Sequence, residues 1–175
     1  MLMEASVTLA SQTTALTSVA RTQRSLSALN AALGTFKGTH HQLRLDWSNT
    51  REFIDTISKH IAEVGTPSLV LAWLHHDDLG IDIARCCSSS TSPCEFFQVR
   101  GSAAAAPHRN AMAFAEQFKT LPGIHFHQII LGFKRTPSGS RWLTNAEISA
   151  GTLTAIEEAQ PFSVVGSVEP WSDAP

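Results

Sequence analysis

Near the middle of the chain, Ser68 to Leu74 (Ser-Leu-Val-Leu-Ala-Trp-Leu) is an unbroken apolar run, with Pro67 before it and the polar His75-His76-Asp77-Asp78 after it. A run this short between turn-forming flanks fits a strand covered on both faces. Burial on both faces is characteristic of a parallel sheet, because the crossover helices that join parallel strands lie on either side of it. Such a strand requires helical segments around it, and the rest of the sequence supplies them.

Met1 to Thr13 reads as a helix with Leu2, Ala5, Leu9 and Ala10 on one face, and a strand is expected at Ala15 to Ala20. Leu26, Leu29 and Leu33 stripe the next helix, which Gly34 is placed to end, since glycine takes up the left-handed conformation there. Gln42 to Trp47 alternates as a strand does. Asn49 with Glu52 forms a helix-start signature ahead of Phe53, Ile54, Ile57 and Ile61, and Gly65 closes that helix. Leu79 to Cys87 has a weaker helical pattern. Strands are expected at Glu95 to Arg100, Phe126 to Phe133 and Phe162 to Val168, with a helix from Pro107 to Lys119. A polar hairpin spans Lys134 to Arg141, and Thr144 with Glu147 opens a helix to Ala159. Strand and helix alternate throughout, which predicts an α/β fold: one domain spanning residues 1–175, with a doubly wound, mostly parallel sheet.

Composition narrows the function classes. Hydrophobic residues make up 43% of the chain and charged residues 16%, a globular balance. A net charge of −2 argues against a broad nucleic-acid surface. No apolar run reaches the roughly 18 residues of a membrane span, and Met1-Leu2-Met3-Glu4 lacks the basic and apolar regions of a secretory leader. Cys86, Cys87 and Cys94 match neither a zinc knuckle nor a disulfide framework, so they read as buried or incidental thiols in a cytoplasmic protein.

In a doubly wound sheet, ligands bind beyond the carboxyl ends of the strands. The residues to weigh are therefore Arg21, Asp46, Trp73 to His76, Gly101-Ser102 and Gly132 to Lys134. Arg21 and Arg24 follow a strand directly and could pair with an anion, or could be solvated arginines at a helix start. Where such a strand end faces an adenine ribose, an acidic residue selects NAD and an arginine accommodates the 2′-phosphate of NADP.

Competing sites fare less well. His125 and His127 share a strand face that could hold zinc, but His75-His76-Asp77-Asp78 adds no helical ligand pair, and no metal is assigned. Ser102 lacks the flanking glycines of a hydrolase elbow, with Arg100 and Ala104 in those places. Trp73, Trp142 and Trp171 are expected to pack, as large aromatics usually do. Arg141, just before a helix start, is expected in a structural ion pair with a carboxylate such as Glu169.

Val19-Ala20-Arg21 followed by the Leu26 and Leu29 helix, then Leu45-Asp46-Trp47, resembles the second and third strands of short-chain dehydrogenases. Leu69-Val70-Leu71-Ala72-Trp73-Leu74-His75, Ile130-Leu131-Gly132-Phe133, Ser140-Arg141-Trp142-Leu143-Thr144-Asn145-Ala146-Glu147-Ile148-Ser149 and Val165-Gly166-Ser167-Val168-Glu169-Pro170-Trp171 resemble a small bacterial subfamily of short, Rossmann-type proteins of that kind. The resemblance implies NADP or NAD as cofactor. Arg21 and Arg24 would stand at the 2′-phosphate, Asp46 at the adenine, and Trp73 and His75 along the cofactor cleft; Ser102 would take the place of the family's serine.

Two departures follow. The subfamily opens with a strand and a Gly-Gly-Thr-Gly-Met-Leu loop, whereas this sequence opens at Met1-Leu2 and has no glycine before Gly34. The front strand is central in such a sheet, so a gap is expected between the strands ending at Ala20 and Leu74. The family's general acid is a tyrosine four residues before a lysine; this chain has no tyrosine, and Ala115 precedes Lys119 by that spacing. Catalysis would then need another proton donor, such as His75 or Ser102. The two readings that result are an NADP-preferring oxidoreductase-like protein acting on an unknown small molecule, and a non-catalytic domain that binds dinucleotide or associates with itself as a homo-oligomer.

Overall fold

The computed structural model describes residues 1–74, 76–101 and 111–175. Its elements are α1 (Met3–Ala10), β1 (Ala15–Ala20), α2 (Gln23–Leu33), β2 (Thr39–Arg44), α3 (Thr50–Val64), β3 (Leu69–Trp73), α4 (Asp77–Cys87), β4 (Cys94–Arg100), α5 (Ala111–Glu116), β5 (Ile124–Leu131), β6 (Phe133–Thr136), β7 (Gly139–Trp142), α6 (Asn145–Glu158) and β8 (Phe162–Val165). Short 3-10 turns follow at Gln117–Thr120 and Trp171–Asp173.

Helix ends obey local chemistry. Thr22 accepts from the Ser25 N–H at the start of α2, and Gly34 ends that helix at φ 54°. Asn49 accepts from the Glu52 N–H to open α3, while its amide donates back to the Glu52 carboxylate. Thr144 and Glu147 form a full capping box at α6, satisfying N–H groups that have no partner within the helix.

The strands are parallel, with β2 beside β1 in one sheet and β3, β4, β5 and β8 in order in another. The ladder is broken between β1 and β3, where the gap is expected. β6 and β7 form the antiparallel hairpin. Three strands, β2, β5 and β8, depart from the sequence reading by two residues or more at an end. The second strand runs Thr39–Arg44 rather than Gln42 to Trp47, because it registers with all six residues of β1, Ala15↔Thr39 to Ala20↔Arg44. Past that register, Asp46 to Asn49 turns into α3. The strand expected at Phe126 to Phe133 stops at Leu131, and Phe133 starts the hairpin instead. β8 stops at Val165 because Gly166, at φ 85°, turns the chain so that Ser167 bridges Phe133.

Each sheet face has its own core. One holds Phe96, Phe118, Phe114 and Ile124 against Phe53 and Ile57 of α3 and Leu79, Ile81 and Ala84 of α4. The other packs Phe97, Val99, Ile129 and Leu131 against Ile148 and Ala155 of α6, with Leu2 and Trp73 at its margin. Gly80 lets α4 close on the sheet, since a Cβ there would collide with the Gln98 side chain. Cys87 and Cys94 are buried and Cys86 is half-buried, all as free thiols. Burial pushes the Cys86 thiol up, away from the reactive thiolate.

Candidate functional site

The carboxyl ends of β1 and β2 open onto a cavity of about 300 Å³ lined by Arg21, Arg44, Leu45, Asp46, Glu52 and Phe53. Register explains why two arginines meet there: Ala20 lies opposite Arg44, so the residue after β1 and the last residue of β2 emerge side by side. The Arg21 guanidinium lies 4.7 Å from the centre of the Trp47 ring, a cation–π contact that holds the side chain at the cavity rim. Asp46 accepts the Ser48 N–H at 3.0 Å. That bond, aided by the Ser48 hydroxyl and the charge of Arg21, holds the Asp46 carboxyl below its ordinary value. The cavity therefore sets two arginines, Arg21 and Arg44, against two carboxylates, Asp46 and Glu52.

Of the residues proposed from sequence, Arg21 and Asp46 come together in this cavity. Arg24 sits in the first turn of α2, exposed and outside the lining. Trp73 is half-buried on the far side of the break, against the core beneath α6, so it does not join the arginines. His75 and Ser102 lie outside the described residues. Arg44, Trp47 and Phe53 were not singled out in the sequence. The signal for Arg44 was available in principle, since an arginine ending one strand and an arginine following its neighbour coincide once the register is known.

Arg100, at the end of β4, is also new to the site inventory: it is 8% exposed, with its guanidinium 4.6 Å from the centre of the Phe114 ring. Nearby in the same strand, the buried Gln98 amide has no hydrogen-bond partner among the described residues.

The opposite, amino-terminal edge of the sheet is occupied differently. Glu95 takes His125 Nδ1 on one oxygen at 2.6 Å and His127 Nε2 on the other at 2.7 Å. His127 is buried, stacks on Phe97 at 4.3 Å and meets the Gln160 carbonyl through Nδ1 at 3.0 Å. Partial burial alone would raise the Glu95 carboxyl, but the two histidine hydrogen bonds outweigh it and hold the group below its ordinary value. The imidazoles are spent on separate oxygens of one carboxylate. Among the described residues, no three His, Cys, Asp or Glu side chains are grouped to hold a metal ion.

Arg141 is in an ion pair as expected, but with Glu147 rather than Glu169: both guanidinium nitrogens donate to that carboxylate at 2.8 Å. The reason is proximity across the capping box, where Lys134 also reaches Glu147 at 2.7 Å. Arg141, Lys134 and Thr144 together hold the Glu147 carboxyl far below the usual carboxylate range. Glu169 instead offers its backbone carbonyl to Arg135. Trp142, expected to pack, is 47% exposed on the hairpin, where two short strands provide no core to receive it; the Trp171 side chain lies outside the described residues.

Among solved structures, the chain resembles the bulky-bulky ketone specific alcohol dehydrogenase from Comamonas testosteroni. In its orthorhombic crystal form the TM-score is 0.68 at 11% identity, over 95% of this chain and 82% of that one. In its tetragonal form the values are 0.65 and 12%, over 98% and 86%. The likeness is one of fold. It agrees with the Rossmann-type, mostly parallel sheet described above. No family model matches the sequence, and no curated protein does. Among the described residues, no helix is long and apolar enough to cross a membrane.

Proposed function

We propose that this chain is a cytoplasmic, oxidoreductase-like dinucleotide-binding protein of the short-chain dehydrogenase kind, preferring NADP(H) to NAD(H) and lacking the usual tyrosine–lysine pair. The observation that carries this reading is the convergence of Arg21 and Arg44 beside Asp46 in one cavity at the carboxyl ends of β1 and β2. The adenosine end of the cofactor fits these residues. Arginine's planar fork pairs with a phosphate through two parallel N–H bonds, and the ionised Asp46 can accept from an adenine amine.

The pyrophosphate end does not fit in the same way. A dinucleotide pyrophosphate normally rests on a glycine-rich turn at a helix amino terminus. At the start of α1, Leu2 supplies no side-chain cap, and none of the first residues of that helix is a glycine. The proposed affinity rests on the adenosine 2′-phosphate.

Calorimetric titration with NADP and NAD tests the reading. Charge-assisted hydrogen bonds contribute about 1.5–3 kcal/mol, so Arg21→Ala is expected to weaken NADP roughly 10- to 150-fold and NAD much less. Equal loss for both, or no binding of either by the unmodified chain, would remove the proposal. Protonation of a carbonyl-derived alkoxide by a general acid is worth about 10²–10⁴-fold, and the chain has no tyrosine to provide it. Reduction of common ketones and aldehydes is therefore expected to be negligible. If turnover is found, its loss on His75→Ala or Ser102→Ala would identify the donor, and indifference to both would dismiss them.

A non-catalytic, self-associating role is supported by a separate observation. The edge strand β8 exposes Phe162 at 52% and Val164 at 37%, and an uncovered apolar edge favours pairing with another chain. A single monomeric species by analytical ultracentrifugation at high concentration would count against it.

A further inference from the structure

Two strands and a helix bring a serine, a histidine and an asparagine into line on the small sheet. Leu16 pairs with His40 and Ser18 with Gln42, and residues two apart along a strand share a face, so Ser18, His40 and Gln42 stand on the same side. Asn30 of α2 reaches them from above. Ser18 Oγ lies 2.8 Å from His40 Nε2, and His40 Nδ1 lies 3.1 Å from Asn30 Oδ1. The Gln42 amide donates to that same Asn30 oxygen at 3.3 Å.

These partners fix where the protons sit. The Asn30 carbonyl oxygen only accepts, so His40 Nδ1 carries the hydrogen and the Nε2 lone pair is left to accept the Ser18 O–H. Burial, then the charge of the neighbouring His41, lowers His40 from its ordinary value and favours that neutral form. A neutral imidazole with its lone pair on a hydroxyl, and its other nitrogen held by a third side chain, is the arrangement that activates a serine. The next hydroxyl along the strand supplies the contrast. Thr17, on the opposite face, also lies 2.8 Å from an imidazole, that of His60, but among the described residues no hydrogen bond orients the other His60 nitrogen.

We propose that Ser18 is a nucleophile for acyl transfer from small carboxylic esters, with His40 as its general base and Asn30 as the residue that positions His40. The Ser18 oxygen bonds to the acyl carbon as its proton passes to His40 Nε2 and the carbonyl electron pair moves onto oxygen. When that pair returns, the alcohol oxygen of the ester leaves with the proton from Nε2, and Ser18 is acylated. Water follows the same route: its proton passes to Nε2, its oxygen bonds to the acyl carbon, and the Ser18 oxygen leaves and recovers the proton. Gln42 lies directly opposite Ser18 in the register, and its amide has a second N–H, not spent on Asn30, to donate to the developing oxyanion. Ser18 is 9% exposed, so the acyl group must be short, acetyl rather than a fatty chain, and it enters where Asn30 and Gln42 stand at the surface. The inference does not depend on nucleotide binding at Arg21.

The test uses the unmodified chain without nucleotide, with p-nitrophenyl acetate as the ester and a fluorophosphonate as a covalent probe. A burst of p-nitrophenol is expected, with one acetyl or phosphonyl group on Ser18 by peptide mass spectrometry. Ser18→Ala should abolish both, and His40→Gln should slow labelling about 10²–10⁴-fold, as loss of a general base does. Asn30→Leu should slow it by about tenfold or more, since the imidazole then loses its orienting partner. Asn30→Asp, which still accepts from Nδ1, should restore it. Thr17→Val should leave labelling unchanged, which separates this serine from hydrolysis by any surface imidazole. Should the Ser18 or His40 variant fail to fold, the exposed Asn30 pair decides. Absence of an adduct on Ser18 at millimolar ester would overturn the proposal. So would labelling as fast in His40→Gln as in the unmodified chain, and so would an Asn30→Asp variant no faster than Asn30→Leu.

Discussion

Each half-sheet is built of parallel strands with helices packed against it, yet the two differ in what they bury. In the four-stranded half, β4 and β5 are paired on both sides and bury nearly all their residues, among them Phe96, Phe97, Val99, Ile129 and Ile130. In the two-stranded half only Ser18 of β1, and no residue of β2, is buried, and its polar groups bond one another. Ser18 meets His40 at 2.8 Å and Thr17 meets His60 at 2.8 Å. Desolvation, with help from the neighbouring His41, lowers both His40 and His60 from their ordinary values. Burial is thus concentrated in one half, and the cavity lined by Arg21 and Arg44 lies in the other. The physical reason is that a strand with a partner on one side only cannot exclude water from its own backbone.

The contrast can be broken most directly in the larger half. Phe96→Ala removes a fully buried ring between two packed layers, and denaturant unfolding should show a loss of about 3–5 kcal/mol. A loss under 1 kcal/mol would mean that the four-stranded core does not dominate. Thr144→Ala at the capping box of α6 should cost about 0.5–2 kcal/mol, read in the same assay, because the Glu147 N–H loses its acceptor.

Acid sharpens the comparison further. Glu95 has a depressed pKa in the folded chain, so its contribution is present above the unfolded value and is lost as pH falls through the lower folded value. Melting temperature should fall across that interval, below the ordinary glutamate range, and Glu95→Gln should flatten the fall. An unchanged acid profile in Glu95→Gln would show that the histidine pair does not hold the strands' amino ends. The smallest effect is expected in the thin half: Val19→Ala removes a side chain that is 40% exposed and should shift stability by no more than about 0.5 kcal/mol. A larger loss would mean that β1 packs more tightly than the exposure of Val19 shows.

Features governed by neighbours in the chain were legible from sequence. The Asn49–Glu52 and Thr144–Glu147 helix starts stand where they were expected, because a cap is decided within four residues. The apolar run at Ser68 to Leu74 indicates a strand covered by helices, since Leu69 to Leu74 is apolar on both faces, and β3 is that strand. Alternation of helix and strand was enough for the parallel sheet, whereas the break beside Ala20 was expected only from the family resemblance.

Pairings between distant residues were decided only in three dimensions. Gln42 to Trp47 alternates, and nothing within it shows which residues pair; the register with β1 does, and it brings Arg44 beside Arg21. Glu95 finds His125 and His127 because β4 and β5 are parallel neighbours with Glu95↔His125 in register, a distance along the chain that no local pattern spans. Arg141 settles on Glu147 rather than Glu169 because the hairpin folds back over the start of α6. Local sequence sets backbone geometry through sterics and capping, whereas the partner of a charged side chain depends on which strands become neighbours. The meeting of Arg21 and Arg44, on which the proposed nucleotide recognition rests, belongs to the second kind.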